Sequence, residues 1–171
     1  LVQRAPAVGE RLAQPVAPRA PRVESVAVLE ALPRDDPPGV RVEGREMRHF
    51  PDTDRIEIDD ATIRAFAPDG RVTHAMARQA IANGDATEVQ LLGGARVRSI
   101  TPAGVPVELD SEFLHAFIDT ERIRTHLPVQ VRHGSSMIRA GGLDFDNLAQ
   151  RLDLLGPMRG TFPPRASGLA K

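Results

Sequence analysis

Cysteine, tryptophan and tyrosine are all missing from these 171 residues, and phenylalanine occurs only six times. Without cysteine there is neither a disulfide nor a thiolate metal site. With so few aromatics, a core has to be built from Val, Leu, Ile and Ala. No run of 18 apolar residues occurs, so no stretch reads as a membrane-spanning helix. Excess charge is missing too: 22 Lys and Arg stand against 23 Asp and Glu, a net −1. That removes the electrostatic case for a nucleic-acid partner.

Catalytic signatures are equally scarce. His49, His74, His115, His126 and His133 form neither an HExxH motif nor a Cys/His cluster. Asp52, Asp54, Asp59 and Asp60 fall at turns and strand ends, where Asp serves local hydrogen bonds. Ser135-Ser136 follows Gly134 in a turn, without a nucleophile-elbow context. The expectation is no catalytic site, no metal site and no cofactor.

What the chain does contain is a repeat. A small residue is followed by an apolar, mostly aliphatic residue three positions on and by an aliphatic one nine positions after that. The copies are Gly44, Met47, Ile56; Ala77, Ala80, Val89; Ser111, Leu114, Ile123; and Ala140, Leu143, Leu152. Each copy has turn residues in its middle: Asp52-Thr53-Asp54, Asn83-Gly84-Asp85, Asp119-Thr120, Asp146-Asn147. The flanks alternate, as in Ile56-Glu57-Ile58, which is the strand period. Each copy therefore reads as strand, turn, strand, one supersecondary unit. A few residues after the second aliphatic comes a disruption: Asp60-Ala61, Gly93-Gly94, Leu127-Pro128 or Gly156-Pro157. Proline removes a ladder donor and glycine permits a bend, so a shared corner is expected there. The fold class is all-β: an antiparallel twisted β-jellyroll, an open sandwich built from repeated hairpins.

Residues 1–21 read as a Pro-rich linker, 22–162 as the β-domain and 163–171 as a disordered tail. At about 3.1 Å per residue the linker would reach roughly 60 Å. Strands are expected at Val23–Ala31, Arg55–Phe66, Val72–Ile81, Thr87–Ile100, Val105–Phe117, Ile123–Val131, Met137–Phe145 and Leu148–Phe162. Pro33–Gly39 is expected as a turn. A helix starting at Asp146-Asn147 or at Ser111 is the alternative.

One parity along these strands is aliphatic. It carries Val89, Leu91, Ala95, Val97, Val107, Leu109, Leu114, Ala116, Ile123, Val129, Val131, Leu152, Leu154 and Met158. The opposite parity carries Glu88, Gln90, Arg96, Arg98, Glu108, Asp110, Asp153 and Arg159. Two readings stay open: the sealed core of a purely structural sandwich, or a slot lined for acyl chains. An unclosed jellyroll also leaves strand edges that can recruit a partner strand.

From about Val23 to Phe162 the chain resembles the LptC family, the periplasmic component of the lipopolysaccharide export machine. The residues that carry the resemblance are Gly44-Arg-Glu-Met-Arg-His-Phe-Pro-Asp-Thr-Asp54, Val89-Gln-Leu-Leu-Gly-Gly-Ala-Arg-Val97, Ser111-Glu-Phe-Leu114, Thr125-His-Leu-Pro-Val-Gln-Val131 and Leu152-Asp-Leu-Leu-Gly-Pro-Met-Arg-Gly160. The resemblance implies a single-span anchor ahead of the linker and a place at the periplasmic face of the inner membrane. It implies a non-enzymatic conduit that takes lipopolysaccharide from the LptB/LptF/LptG transporter and passes it to LptA. The aliphatic parity would then be the lipid-binding face. The C-terminal strands would form the partner-binding edge, with Met137, Ile138, Leu143, Phe145, Leu148, Leu155 and Phe162.

Overall fold

The computed structural model describes residues 19–31, 39–149 and 151–164, with 23–31 as backbone. Twelve antiparallel strands form one hydrogen-bonded sheet. They are β1 (Arg22–Ala31), β2 (Val40–Phe50), β3 (Arg55–Phe66), β4 (Val72–Asn83), β5 (Glu88–Ile100), β6 (Pro106–Phe117), β7 (Arg122–Thr125), β8 (Val129–His133), β9 (Ser136–Ala140), β10 (Gly142–Asp146), β11 (Arg151–Leu155) and β12 (Arg159–Thr161). No helix occurs among the described residues. The helix alternatives at Ser111 and Asp146 are thereby set aside: Ser111 lies inside β6, and Asp146-Asn147 closes β10 and enters a turn. The expected turn at 33–39 lies outside the described residues except for Gly39, as do residues 1–18 of the linker and 165–171 of the tail.

β1 to β6 are hydrogen-bonded in chain order, and beyond β6 the sheet forks. The C-terminal part of β6, His115–Phe117, pairs with β7, which leads to β10 and β11. Its N-terminal part, Val107–Ser111, pairs with β8, which leads to β9 and β12. The long strands thus belong to two walls at once, and the short strands to one wall each.

This explains the main departure from the sequence reading. The single strands expected at Ile123–Val131, Met137–Phe145 and Leu148–Phe162 are each two strands, broken at 126–128, at Gly141 and at 156–158. Pro128 and Gly156-Pro157 supply two of these corners, as their chemistry suggested. Gly141 supplies the third because its neighbourhood is filled: a side chain on it would approach the Leu155 carbonyl to 3.2 Å.

The corners line up. Register pairing stops around Arg45 opposite Asp60, Asp60 opposite Arg78, and Arg78 opposite Gly93-Gly94, and Glu112 is skipped on β6. Asp60, Gly93 and Gly94 have φ of 51°, 78° and 72°. Glycine takes this conformation without a Cβ clash, and Asp is among the few side chains that tolerate it. A crease therefore runs across the sheet from β2 to the last corner and folds it into two facing walls. Along it side chains replace the missing ladder bonds. Arg45 Nε donates to Asp60 at 2.7 Å, Arg78 Nε donates to the Gly93 carbonyl at 3.2 Å, and the Gly94 amide donates to Glu112 at 3.2 Å. Where β7 breaks from β8, buried Ser111 and Thr125 do the same work: Ser111 Oγ donates to the Pro128 carbonyl at 2.9 Å and Thr125 Oγ1 accepts the Leu127 amide at 3.1 Å.

The hairpin turns fall where the repeat placed them, at 51–54, 84–87 and 118–121. Asp54, Ala86 and Glu121 each have positive φ near the return strand. Asn83 secures its turn with its side-chain amide, which donates to Thr87 Oγ1 at 2.7 Å while Asn83 Oδ1 accepts the Glu88 amide at 3.0 Å.

Candidate functional site

The space between the walls is lined by the aliphatic parity. On one wall the cross-strand rows run Ile58, Ala80, Leu91, Leu114 and Ile56, Ala82, Val89, Ala116, Ile123, Phe145, Leu152. On the other they run Ile63, Ala75, Val97, Leu109, Val131, Ile138 and Ala61, Ala77, across the crease to Ala95, Ser111, Val129, Ala140. Pairs of this kind are the unit by which a sheet face is stabilised.

Depth varies along these rows. Leu114 is 0% exposed, Leu91 2%, and Ala95, Val89, Val97, Leu109, Val129 and Val131 are buried with them in one cluster. There the walls have closed on each other, so the sealed-core reading holds for the middle of the domain. Val107, Ala116, Ile123 and Leu154 are half-buried. At the last strands the same parity reaches solvent: Leu152 is 41% exposed and Met158 61%. The interior is a packed core that opens at its C-terminal end.

The residues assigned to a partner-binding edge are not brought together. Leu143 is a fully buried core residue on β10, which lies between β7 and β11, and Phe145 shares that internal strand. Met137 and Ile138 lie on β9, between β8 and β12. Those four positions are corrected to wall interior strands. Leu148, Leu155 and Phe162 are exposed, Leu148 in the β10–β11 turn, Leu155 at the end of β11 and Phe162 just past β12. The reason is the fork: splitting each C-terminal strand at the crease makes β11 and β12 the last strands of their walls.

The outer faces are charged in cross-strand rows. On β5, β6 and β8, Arg96 donates to Asp110, and Arg98 and Arg132 both donate to Glu108. On β7 and β10, Arg122 grips Asp144 through two bonds of 2.7 and 2.8 Å, and Arg124 adds a third of 3.0 Å. The Arg122 hydrogen bond, opposed by partial burial, holds the Asp144 carboxyl below its usual range.

One outer groove was not foreseen. It measures about 370 Å³ and is lined by Phe113, His115, Arg124, Thr125, His126, Leu143, Asp144 and Leu155. Phe113 lies between the two histidines, its ring centroid 5.4 Å from His126 and 6.4 Å from His115. Its signal in the sequence was Phe113, His115 and Phe117 at the outward parity of β6. Beside the groove the chain is tightly packed at Gly142, where a Cβ would meet the Thr125 carbonyl at 2.8 Å. Among the described residues no group of three His, Cys, Asp or Glu side chains is placed to hold a metal ion.

The model of the family described as lipopolysaccharide-assembly, LptC-related, matches residues 34–162. No curated protein sequence matches the chain. Among solved structures it is similar to the crystal structure of LptH from Pseudomonas aeruginosa, described as the LptA-homologous periplasmic component of the conserved lipopolysaccharide transport device. The TM-score is 0.64 at 11% identity, with 77% of this chain and 98% of that chain covered. At that identity the likeness is one of fold.

Proposed function

The chain belongs to the LptC-related lipopolysaccharide-assembly family, and from that premise we propose that its folded walls form a non-enzymatic conduit for the acyl chains of lipopolysaccharide. The observation that carries this reading is the gradient along the aliphatic face, sealed at Leu91 and Leu114 and solvent-exposed at Leu152 and Met158. An aliphatic face whose buried hydroxyls, Ser111 and Thr125, are engaged by backbone groups suits acyl chains and offers little hydrogen-bonded selectivity for a polar ligand. Burial contributes about 0.8 kcal/mol per CH₂, so a multi-acyl lipid needs only part of its chains covered to be held.

Lipid enters this scheme at the open end. Leu152 and Met158 make first contact, and Phe145, Leu154, Val89, Leu91, Ala95, Val97, Val107, Leu109, Leu114, Ala116, Ile123, Val129 and Val131 are reached as the walls part. The chain would act at the periplasmic face of the inner membrane, with residues 1–21 as a linker from an anchor, 22–162 as the working domain and 163–171 as a tail. It would receive lipopolysaccharide from the LptB/LptF/LptG transporter and deliver it to LptA through the exposed last strands, where Leu148, Leu155 and Phe162 lie.

Photo-crosslinking residues test the scheme. A probe at Leu152 or Met158 should label lipopolysaccharide in the resting protein, and probes at Leu91, Leu109 or Leu154 should label when the transporter runs. Gln90, Asp110 and Asp153 point outward and should stay unlabelled. Silence at every inward position under transport would leave the domain as a structural module.

A further inference from the structure

The two wall ends beyond the fork differ in charge. The strands β7, β10 and β11 carry Asp144, Asp146 and Asp153 beside their arginines. The strands β8, β9 and β12 carry Arg132, Arg139 and Arg159 and no carboxylate at all. Arg132 borrows Glu108 from β6, at 2.9 Å. Arg139 meets only the neutral Gln130, donating to its Oε1 at 3.0 Å. Arg159 has no ion pair or hydrogen bond among the described residues.

Arg139 and Arg159 are direct register partners in the β9–β12 ladder. Opposed residues of an antiparallel pair have Cβ atoms about 4.5–5.5 Å apart, and like charges there repel. Between them lies a hollow of about 290 Å³, lined also by Met137 and Thr161. Arg139 and Arg159 both line that hollow with Thr161 beside them, and two guanidinium groups with a hydroxyl are a donor set suited to a phosphate: planar, bidentate and charge-assisted. A bound dianion would convert the repulsion into a bridge.

The position of the hollow says where such a phosphate comes from. β12 is the last strand of its wall, so a ligand can wrap around it. Met158, beside Arg159 and of opposite parity, and Phe162 just beyond the strand are both largely exposed. An amphiphile with chains against Met158 and Phe162 has its headgroup at Arg159.

We propose that Arg139 and Arg159 form a phosphate-binding site for the headgroup of a phosphorylated acyl glycolipid at the mouth of the conduit. This rests on the lipid reading above and adds a charged recognition element to a face otherwise lined mainly by aliphatic side chains.

The test compares the full chain with the R139Q/R159Q and R139K/R159K variants. The probes are a bis-phosphorylated acylated glucosamine disaccharide, the same lipid after phosphatase treatment, and inorganic phosphate. The wild type should prefer the phosphorylated lipid about tenfold, the return expected from one added set of charge-assisted bonds. R139Q/R159Q should bind both lipids alike, and R139K/R159K should recover part of the preference, because charge survives without the bidentate geometry. Equal binding of both lipids by the wild type overturns the phosphate site and leaves the conduit standing; binding of neither sinks both. Inorganic phosphate that perturbs the arginine resonances without any preference between lipids makes this a free-anion site and overturns the headgroup assignment. If R139Q/R159Q self-associates in size exclusion but keeps the preference, the arginines are guards of an exposed strand edge, and the proposal falls.

Discussion

Leu91 and Leu152 point into the same space, yet a charge at each has different consequences. Leu91 is 2% exposed and packed in the central cluster. Leu91→Asp leaves an uncompensated charge with no water within reach, a loss on the order of 3–5 kcal/mol. Leu152 is 41% exposed, so Leu152→Asp should cost about 1 kcal/mol or less while repelling acyl chains from the mouth. Urea unfolding midpoints measure the first effect, and lipid crosslinking from a probe at Met158 measures the second. A midpoint for Leu152→Asp as low as that for Leu91→Asp would mean that the C-terminal end is as sealed as the middle. Asp144 gives a pH signature. Its carboxyl is held low by the Arg122 hydrogen bond. The stability it contributes is therefore present above the unfolded carboxylate pKa of about 3.9 and is lost as pH falls through the lower folded value. Asp144→Asn should lower stability at neutral pH and flatten the acid-unfolding curve below about pH 4, followed by circular dichroism.

At the scale of the element, the crease is the feature most sensitive to single substitutions. Gly93 has φ +78° with Arg78 Nε 3.0 Å from where a Cβ would stand. Gly93→Ala should cost about 1 kcal/mol or more from the backbone conformation alone, read as a shifted thermal midpoint. Gly44→Val should cost more, because its Cβ would fall 2.2 Å from Ile58 Cγ2 and 2.9 Å from the Asp59 carbonyl, which is backbone and cannot step aside. The crease also marks how far the sequence could be read. β3 was legible to its ends, Arg55–Phe66, because its turns are marked by Asp52–Asp54 and by Pro68-Asp69-Gly70. Two corners were legible through Pro128 and Pro157. The corner at Gly141 was not, because one glycine between two apolar stretches looks like a tolerated interruption. Parity identified which side chains face inward, since period 2 fixes the face. It could not give depth: Leu91 and Leu152 carry the same pattern and differ only in whether another strand lies beyond them. For the same reason Leu143 read as an edge residue; that β10 is flanked on both sides is a fact of pairing between segments distant in sequence.

On the scale of the whole molecule, the fork distinguishes two regions. From β2 to β6 the strands are tied to their neighbours by long ladders broken only at the crease, whereas the strands after β6 are three to five residues long. Local opening is easiest where few buried contacts and short ladders coincide. Amide hydrogen exchange should therefore be slowest in β3–β5 and faster in β10–β12, and lipid should slow exchange in β11 and β12 more than in β4. Uniform protection across all twelve strands would contradict an opening confined to the C-terminal end.

The crease can be regarded as the spine of a bound book. Two separate plates can be drawn apart evenly, but pages sewn along one line open only by rotation, and the gap grows with distance from the stitching. Here the stitches are Arg45 to Asp60, Arg78 to Gly93 and Gly94 to Glu112. A small angular change along that line moves atoms near Gly93 very little and atoms at the hairpin tips, such as Asn83 and Glu121, a good deal. A cargo passing between the pages would therefore meet a clearance set by its distance from the spine, with bulky parts kept to the outer margin and slender hydrocarbon able to run close to the binding.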